Sequence, residues 1–267
     1  MYWANVSERQ ASTPPLAVST VVFTLRSPAG DGAGLGRGVG ADAAGSPPSV
    51  GESAERGAGP RLWIPLVRRR REPYLNQWAL PGGPLRGDTS LRTAAANNLL
   101  QTTGLAPTLL EQLYTFGGTD RGEGARTVSV VYWALVRFAE SDLDLMRDPD
   151  VAWFPADDPE VLAGLAFDHR RIVEYALARL RAKVEYADVA HRLLGERFTL
   201  AQLRGVYEAV LGQALDPANF RRTVLARGGI EDSGEVLTGV RNRPPRLYTA
   251  ISQRDPSGIP DPEGDPS

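Results

Sequence analysis

Apolar residues along this chain follow two rhythms, one of strands and one of helices. Residues 18–25 (VSTVVFTL) are β-branched and apolar nearly throughout, which predicts a buried strand, and residues 62–67 (LWIPLV) predict its neighbour. Residues 128–138 (VSVVYWALVRF) carry the strongest strand pattern and residues 151–155 a short one. The helical rhythm occupies residues 91–102, with Ser90 as the expected N-cap. It returns over 168–186, where Ile172, Tyr175, Ala176, Leu180 and Val184 recur at helical spacing. Residues 27–61 are dominated by Gly, Ala, Ser and Pro and hold too little apolar surface to offset chain ordering, so a disordered insert is expected there. LPGG at 80–83 reads as turn punctuation. Strands flanked by helices predict an α/β domain over 17–167, after a disordered start at 1–16 and before a linking helix at 168–189.

From His191 the pattern changes. Thr199 and Gln202 have the spacing of a capping box, with Phe198 and Leu203 placed as its hydrophobic staple, and a helix to about Leu211 should follow. A second start comes at once: Asp216 as cap, Pro217 in the first helical position, Leu215 able to reach Phe220. Gly228 and Gly229 should stop that helix, and residues 235–249 (EVLTGVRNRPPRLYT) read as two strands around an Arg-rich loop. Two short helices and a hairpin predict a winged helix-turn-helix over 190–250.

Charge alters this picture only when counted by segment. The whole chain carries a formal charge of −2, but residues 190–250 hold nine Arg against six Asp or Glu, and residues 251–267 hold one Arg against four acids. A basic module with an acidic, disordered tail is expected. The absence of cysteine excludes disulfides and thiolate metal sites, and two histidines leave little for a zinc centre. Neither a signal peptide nor an apolar run long enough to span a membrane is present, so a cytoplasmic protein is expected.

Residues 83–105 resemble the Nudix box, in which Gly is followed after five residues by Glu, after seven more by Arg-Glu, then an aliphatic, any residue, Glu-Glu, any residue, Gly and an aliphatic. Gly83, Leu99, Gly104 and Leu105 match. Thr89, Asn97, Asn98, Gln101 and Thr102 stand at the Glu, Arg-Glu and Glu-Glu positions. Positions 98, 101 and 102 share one helix face, where carboxylates would gather charge around Mg²⁺. Amides and hydroxyls offer oxygens without charge, so hydrolysis by the usual Nudix route is not expected. A pyrophosphate could instead meet backbone N–H groups near Gly82 and Gly83 and the start of the helix, with Arg86 and Arg92 as counter-charges. The other reading of both arginines is solvated surface.

Further segments extend the likeness: WALPGG (78–83), LEQLYTFG (110–117), VSVVYWALV (128–136), WFP (153–155), LAFDH (165–169), FTLAQLRGVYEAVLG (198–212), NFRRTVLARG (219–228) and RPPRLY (243–248). Together they resemble the Nudix-related transcriptional regulators of NAD metabolism called NrtR. The resemblance implies an N-terminal Nudix-fold α/β/α sandwich with a mixed sheet, joined to a winged-helix reader of double-stranded DNA. It also implies a homodimer on a palindromic operator, a nucleotide effector such as ADP-ribose, and no catalytic cofactor. Regulators of similar layout respond to sugars such as arabinose. The long insert at 27–61 departs from the family, where the strand connection is short.

Candidate effector residues are Gly82, Gly83, Arg86, Arg92, Trp78, Phe116 and Arg126, with His169 beside them. Trp78 either stacks on a base or fills the core, and Arg68, Arg69, Arg70 and Arg71 either edge the pocket or form a solvated turn. For DNA, Asn219, Arg221, Arg222 and Thr223 occupy the first turns of the second helix, where base edges are read, while Phe220 and Val224 belong to the core. Arg241, Arg243 and Arg246 flank a Pro-Pro turn fit for a wing. Two rival readings remain: an enzyme using Asp88, Asp120 or Glu123 as acids, and a C-terminal module that binds protein.

Overall fold

Eleven residues, Leu16–Arg26 (β1), form the central strand of a seven-stranded mixed sheet. In this computed structural model, residues 14–26, 60–107, 110–119, 121, 127–137, 148–186, 189–237 and 244–251 are described. β1 runs antiparallel to β2 (Arg61–Arg68), with Thr24 opposite Trp63, and parallel to β6 (Val128–Leu135), with Leu16 opposite Val128. β3 (Trp78–Ala79) and β7 (Val151–Pro155) pair with β2, β4 (Gly82–Pro84) pairs with β1, and β5 (Glu111–Phe116) closes the far edge on β6.

The apolar run of β1 is continuous because helices cover both of its faces. Val18 and Val22 pack with Ala94, Ala95 and Leu99 of α1 (Leu91–Thr103). Val21 and Phe23 face the larger core, which includes Val161 and Leu162 of the short α2 (Pro159–Ala163) and Ile172, Val173, Ala176 and Leu180 of α3 (His169–Tyr186). Ser90 caps α1 by accepting from Thr93 N–H, and Gly104 ends it in the left-handed conformation with its N–H on Leu100 O.

The larger core does not stop at α3. It continues through a 3₁₀ turn at Ala190–Leu193 into the C-terminal module, taking in Phe198, Leu203, Val206, Val210, Phe220, Val224 and Tyr248. That module contains β8 (Arg197–Phe198), α4 (Leu200–Leu211), α5 (Pro217–Arg227), β9 (Ile230–Val236) and β10 (Arg246–Ala250), with β10 central in its three-stranded sheet. Both bonds of the Thr199–Gln202 capping box are made. Asp216 caps α5 by accepting from Asn219 N–H, 2.8 Å.

Several expectations need correction. LPGG is not a turn throughout, since Gly82 and Gly83 lie in β4. Ile172, Ala176, Leu180 and Val184 are buried as expected, but Tyr175 is 40% exposed at the edge of the stripe, which widens on its other side to take in Val173 and Leu177. β9 begins at Ile230 rather than Glu235; its acidic stretch hid it, and Asp232 and Gly234 form a local turn-like contact within the strand. Leu16 and Arg61, expected in disordered segments, belong to β1 and β2. The expectations of disorder over 1–13, 27–59 and 252–267 lie outside the described residues.

Candidate nucleic-acid interface and effector region

α5 takes its orientation from two buried side chains, Phe220 and Val224, one turn apart. Phe220 packs edge-on against Tyr207 of α4, ring centroids 5.2 Å apart. Burying that stripe leaves Asn219, Arg221, Arg222 and Thr223 exposed. Arg222 Nη2 donates to Asn219 Oδ1 at 2.7 Å, which fixes the amide oxygen and leaves the amide nitrogen outward. Arg221 lies close enough to Asp232 for its charge to act on that carboxyl. Arg246 follows on β10 and is bound to Asp232 at 2.6 Å, and that hydrogen bond holds the carboxyl below its usual range. Arg241 and Arg243 lie outside the described residues. Arg, Asn and Thr side chains in the first turns of the second helix, beside a two-stranded ribbon, form the arrangement that enters a DNA groove and contacts its backbone.

The box positions tell a different story from the one their spacing suggests. Thr20 N–H donates to Pro81 O and Leu85 N–H to Leu16 O, and the alternation of an antiparallel ladder then makes Val18 and Gly83 a hydrogen-bonded pair. Gly83 N–H is therefore committed to the sheet and unavailable to a pyrophosphate. Gly82 is required by sterics: a Cβ there would sit 2.7 Å from both Ser19 Oγ and Val18 O. A Cβ at Gly83 would approach Asn98 Oδ1 at 3.2 Å, so the amide at the second acidic position packs on the strand. Asn98 Nδ2 is buried and has no partner. Thr102 Oγ1 turns back to Asn98 O at 2.6 Å, and Gln101 is exposed.

Mg²⁺ requires charged oxygens, and this face provides amides and hydroxyls only, so the residues present do not fit the metal of the Nudix box. No cluster of three His, Asp or Glu side chains able to hold a metal occurs among the described residues. Asp88 is exposed; Asp120 and Glu123 lie outside the described residues, as does Arg126.

Arg86 and Arg92 are exposed at the mouth of α1. Trp78 and Phe116 are packing residues. Trp78 is half-buried and edge-on to Phe154 at 5.0 Å, while Phe116 is 7% exposed and ringed by Tyr114, Tyr175 and the Arg121 guanidinium. In the Arg run, Arg70 pairs with Asp148 and Asp150, and Arg69 lies 4.4 Å over the Phe167 ring while donating to Pro73 O. That run is tied both to its own loop and to the Asp148–Asp150 turn and Phe167.

Arg121 escaped the sequence reading, and His169, placed there beside the effector candidates, has another role. Arg121, 8% exposed at its side chain, forks onto Asp168 through Nε (2.6 Å) and Nη2 (2.7 Å) and gives Nη1 to Phe116 O. Burial alone would raise the Asp168 carboxyl, but the hydrogen bond and charge of Arg121 pull it below the ordinary range. His169 is buried; its Nδ1 accepts Leu80 N–H at 2.9 Å, and desolvation lowers its pKa to about 4. It is a neutral fastener between the 80–83 segment and α3, not a pocket group. A lone Arg and a lone His in sequence carry no signal of such partners, although the Asp168-His169 pair at a helix start was a hint.

At its other end α3 touches both helices of the helix-turn-helix. Arg181 Nε donates to Val210 O at 3.0 Å, and Arg227 Nη1 lies 3.5 Å from Val184 O.

Comparison with known proteins places both domains. The family model of the NrtR DNA-binding winged helix domain matches residues 190–250, and that of the NUDIX domain matches residues 54–176. The ADPR responsive transcriptional repressor NtrR of Acinetobacter baylyi is 33% identical over 190 residues, 70% of this chain and 75% of that protein. Shewanella oneidensis NrtR, crystallised with a 27mer DNA, is 30% identical with a TM-score of 0.67, covering 88% of this chain and 93% of that one. An ADP-ribose pyrophosphatase of Methanocaldococcus jannaschii is 28% identical over 111 residues, 42% of this chain and 63% of that enzyme.

Proposed function

This chain belongs to the NrtR family of Nudix-related transcriptional regulators, and from that premise we propose that it is a DNA-binding repressor whose Nudix-fold domain senses ADP-ribose without hydrolysing it. The observation that carries the reading is the outward turn Asn219 to Thr223, held by the buried Phe220 and Val224 beside the β9–β10 ribbon. The Acinetobacter relative is by name ADPR responsive, and the Shewanella relative was crystallised with duplex DNA, which supports both ligand classes. A homodimer on a palindromic site follows from the same reading, since a twofold protein presents two equal reading helices about one helical turn apart.

Among the candidate effector residues, the exposed Arg86 and Arg92 are the proposed pyrophosphate counter-charges, Arg92 lying in the first turn of α1. Gly83 lies against Asn98 of α1, whereas Trp78 and Phe116 pack in the larger core on the other side of the sheet. Effector binding acts on DNA affinity only if the two protein states bind the effector with different strength. α3 is the candidate transmitter because it is fastened to the 80–83 segment through His169 and to α4 and α5 through Arg181 and Arg227. Although the pyrophosphatase likeness keeps hydrolysis testable, the box lacks the carboxylates that chemistry needs.

Selection from a random duplex pool tests the reading. A palindromic consensus is expected, with Arg222→Ala flattening both half-sites equally. Failure to enrich any sequence, with binding that does not respond to salt, would count against DNA recognition.

A further inference from the structure

A groove of about 210 Å³ lies between α4 and α5. Leu211, Phe220 and Val224 make its floor apolar, and the exposed Asp216, Asn219, Thr223 and Arg227 stand at its rim, Asp216 at the start of α5 and Arg227 at its end. Asn219 and Thr223 also belong to the turn assigned to DNA, so whatever fills this groove shares a border with the reading surface. Arg221 and Arg222 on the same helix add positive charge outside the rim. The site therefore suits a short segment that offers one bulky apolar side chain, with carboxylates on the Arg227 side and away from Asp216.

The chain contains such a segment close by. Ile251 N–H donates to Gly229 O at 2.8 Å, so the backbone leaves the winged-helix sheet beside the end of α5, which Gly228 terminates. Residues 252–267 carry Asp255, Asp261, Glu263 and Asp265 against Arg254 alone. Their single large aliphatic residue is Ile259, and Pro256, Pro260, Pro262 and Pro266 disfavour a helix. About eight residues from Ile251 to Ile259 reach up to ~26 Å. Along α5, Thr223 is only ~8 Å from the helix end.

We propose that residues 252–267 dock in the α4–α5 groove of their own chain, with Ile259 on the apolar floor and the carboxylates against Arg221, Arg222 and Arg227, as an internal competitor for the reading face. The docking itself is independent of the functional reading; its effect on DNA rests on that reading. The apolar anchor separates docking from a general electrostatic effect of an acidic segment. Replacing Ile259 by Ser leaves every charge in place and removes only the group that fills the groove.

The test uses the full chain. A photoactivatable leucine analogue at position 259 is irradiated in the free protein, and cross-linked peptides are mapped on the monomer band. Cross-links to α4 and α5 are expected, and excess duplex DNA should abolish them. In parallel, Ile259→Ser is expected to tighten binding to a duplex from the protein's own upstream region about fivefold, as a competing closed state is removed. Cross-links that are absent, scattered, or found only between two chains overturn the proposal. So does an Ile259→Ser affinity within twofold of the wild type when Asp261→Asn with Glu263→Gln alone tightens binding, since that leaves only long-range charge. Groove cross-links in a protein that binds no duplex in either form uphold the docking and refute the DNA reading.

Discussion

His169 makes acid sensitivity a quantitative consequence of the fold. Its imidazole is buried, accepts Leu80 N–H through Nδ1, and has its pKa lowered from 6.5 to about 4, chiefly by desolvation, which outweighs the opposing charge of Asp168, and further by the charges of Arg121 and Arg69. Above pH 6.5 the ring is neutral in both folded and unfolded chains and stability does not depend on it. Between pH 6.5 and about 4 only the unfolded chain takes up the proton, so stability is lost as pH falls through that window. The full gap corresponds to about 3 kcal/mol, and about 2 kcal/mol of it is gone by pH 5. His169→Asn keeps an acceptor near the Nδ1 position and removes the titration. Urea unfolding of both proteins at pH 7.5 and pH 5 measures the difference. The wild type should lose about 2 kcal/mol more than the variant between the two values. Asp168 does not blur this comparison, because Arg121 places its titration below the usual carboxylate range. Equal pH dependence in the two proteins would refute the neutral, desolvated state of His169 and with it the fastening of α3 to the 80–83 segment.

Other positions give sharper yes-or-no outcomes. Gly82→Ala should destabilise by about 1–3 kcal/mol, since the new methyl meets Ser19 Oγ and the Val18 backbone, and thermal unfolding reads it directly. Arg121→Ala leaves the Asp168 carboxylate and the Phe116 carbonyl without their partner, and a loss of about 3 kcal/mol in urea unfolding is expected. Asn98→Glu with Gln101→Glu and Thr102→Glu should confer Mg²⁺ binding in calorimetry; no gain would mean that these positions do not converge. Arg221→Ala should weaken duplex binding and lower the slope of log K against log salt by about 1, if that side chain contacts phosphate.

The chain announced its helices more clearly than its contacts. Ser90, the Thr199–Gln202 box and the Asp216-Pro217 start are local devices, complete within four residues, so each was legible and each is made. β1 and β6 were legible because burial on both faces demands an unbroken apolar run. β9 was hidden because Glu231 and Asp232, on opposite faces, are both exposed, and a strand exposed on both faces reads as a polar loop. The box was legible as a departure from a pattern, but the role of its glycines was not. Only the register of β4 on β1 shows that Gly83 N–H is committed and that Gly82 is there for Ser19. Arg121 and His169 depend on partners 47 and 89 residues away, which no local rule can pair.

The central claim is that one chain reads DNA and answers to ADP-ribose without consuming it. Anisotropy titration of a fluorescent duplex from the protein's upstream region, with and without saturating ADP-ribose and Mg²⁺, tests this in one experiment if the nucleotide is recovered and quantified afterwards. The account predicts a shift in duplex affinity of about 5- to 150-fold, the ordinary span of allosteric coupling, with the ADP-ribose intact. Unchanged affinity, or conversion of ADP-ribose to AMP and ribose 5-phosphate at about 1 per second, would contradict it.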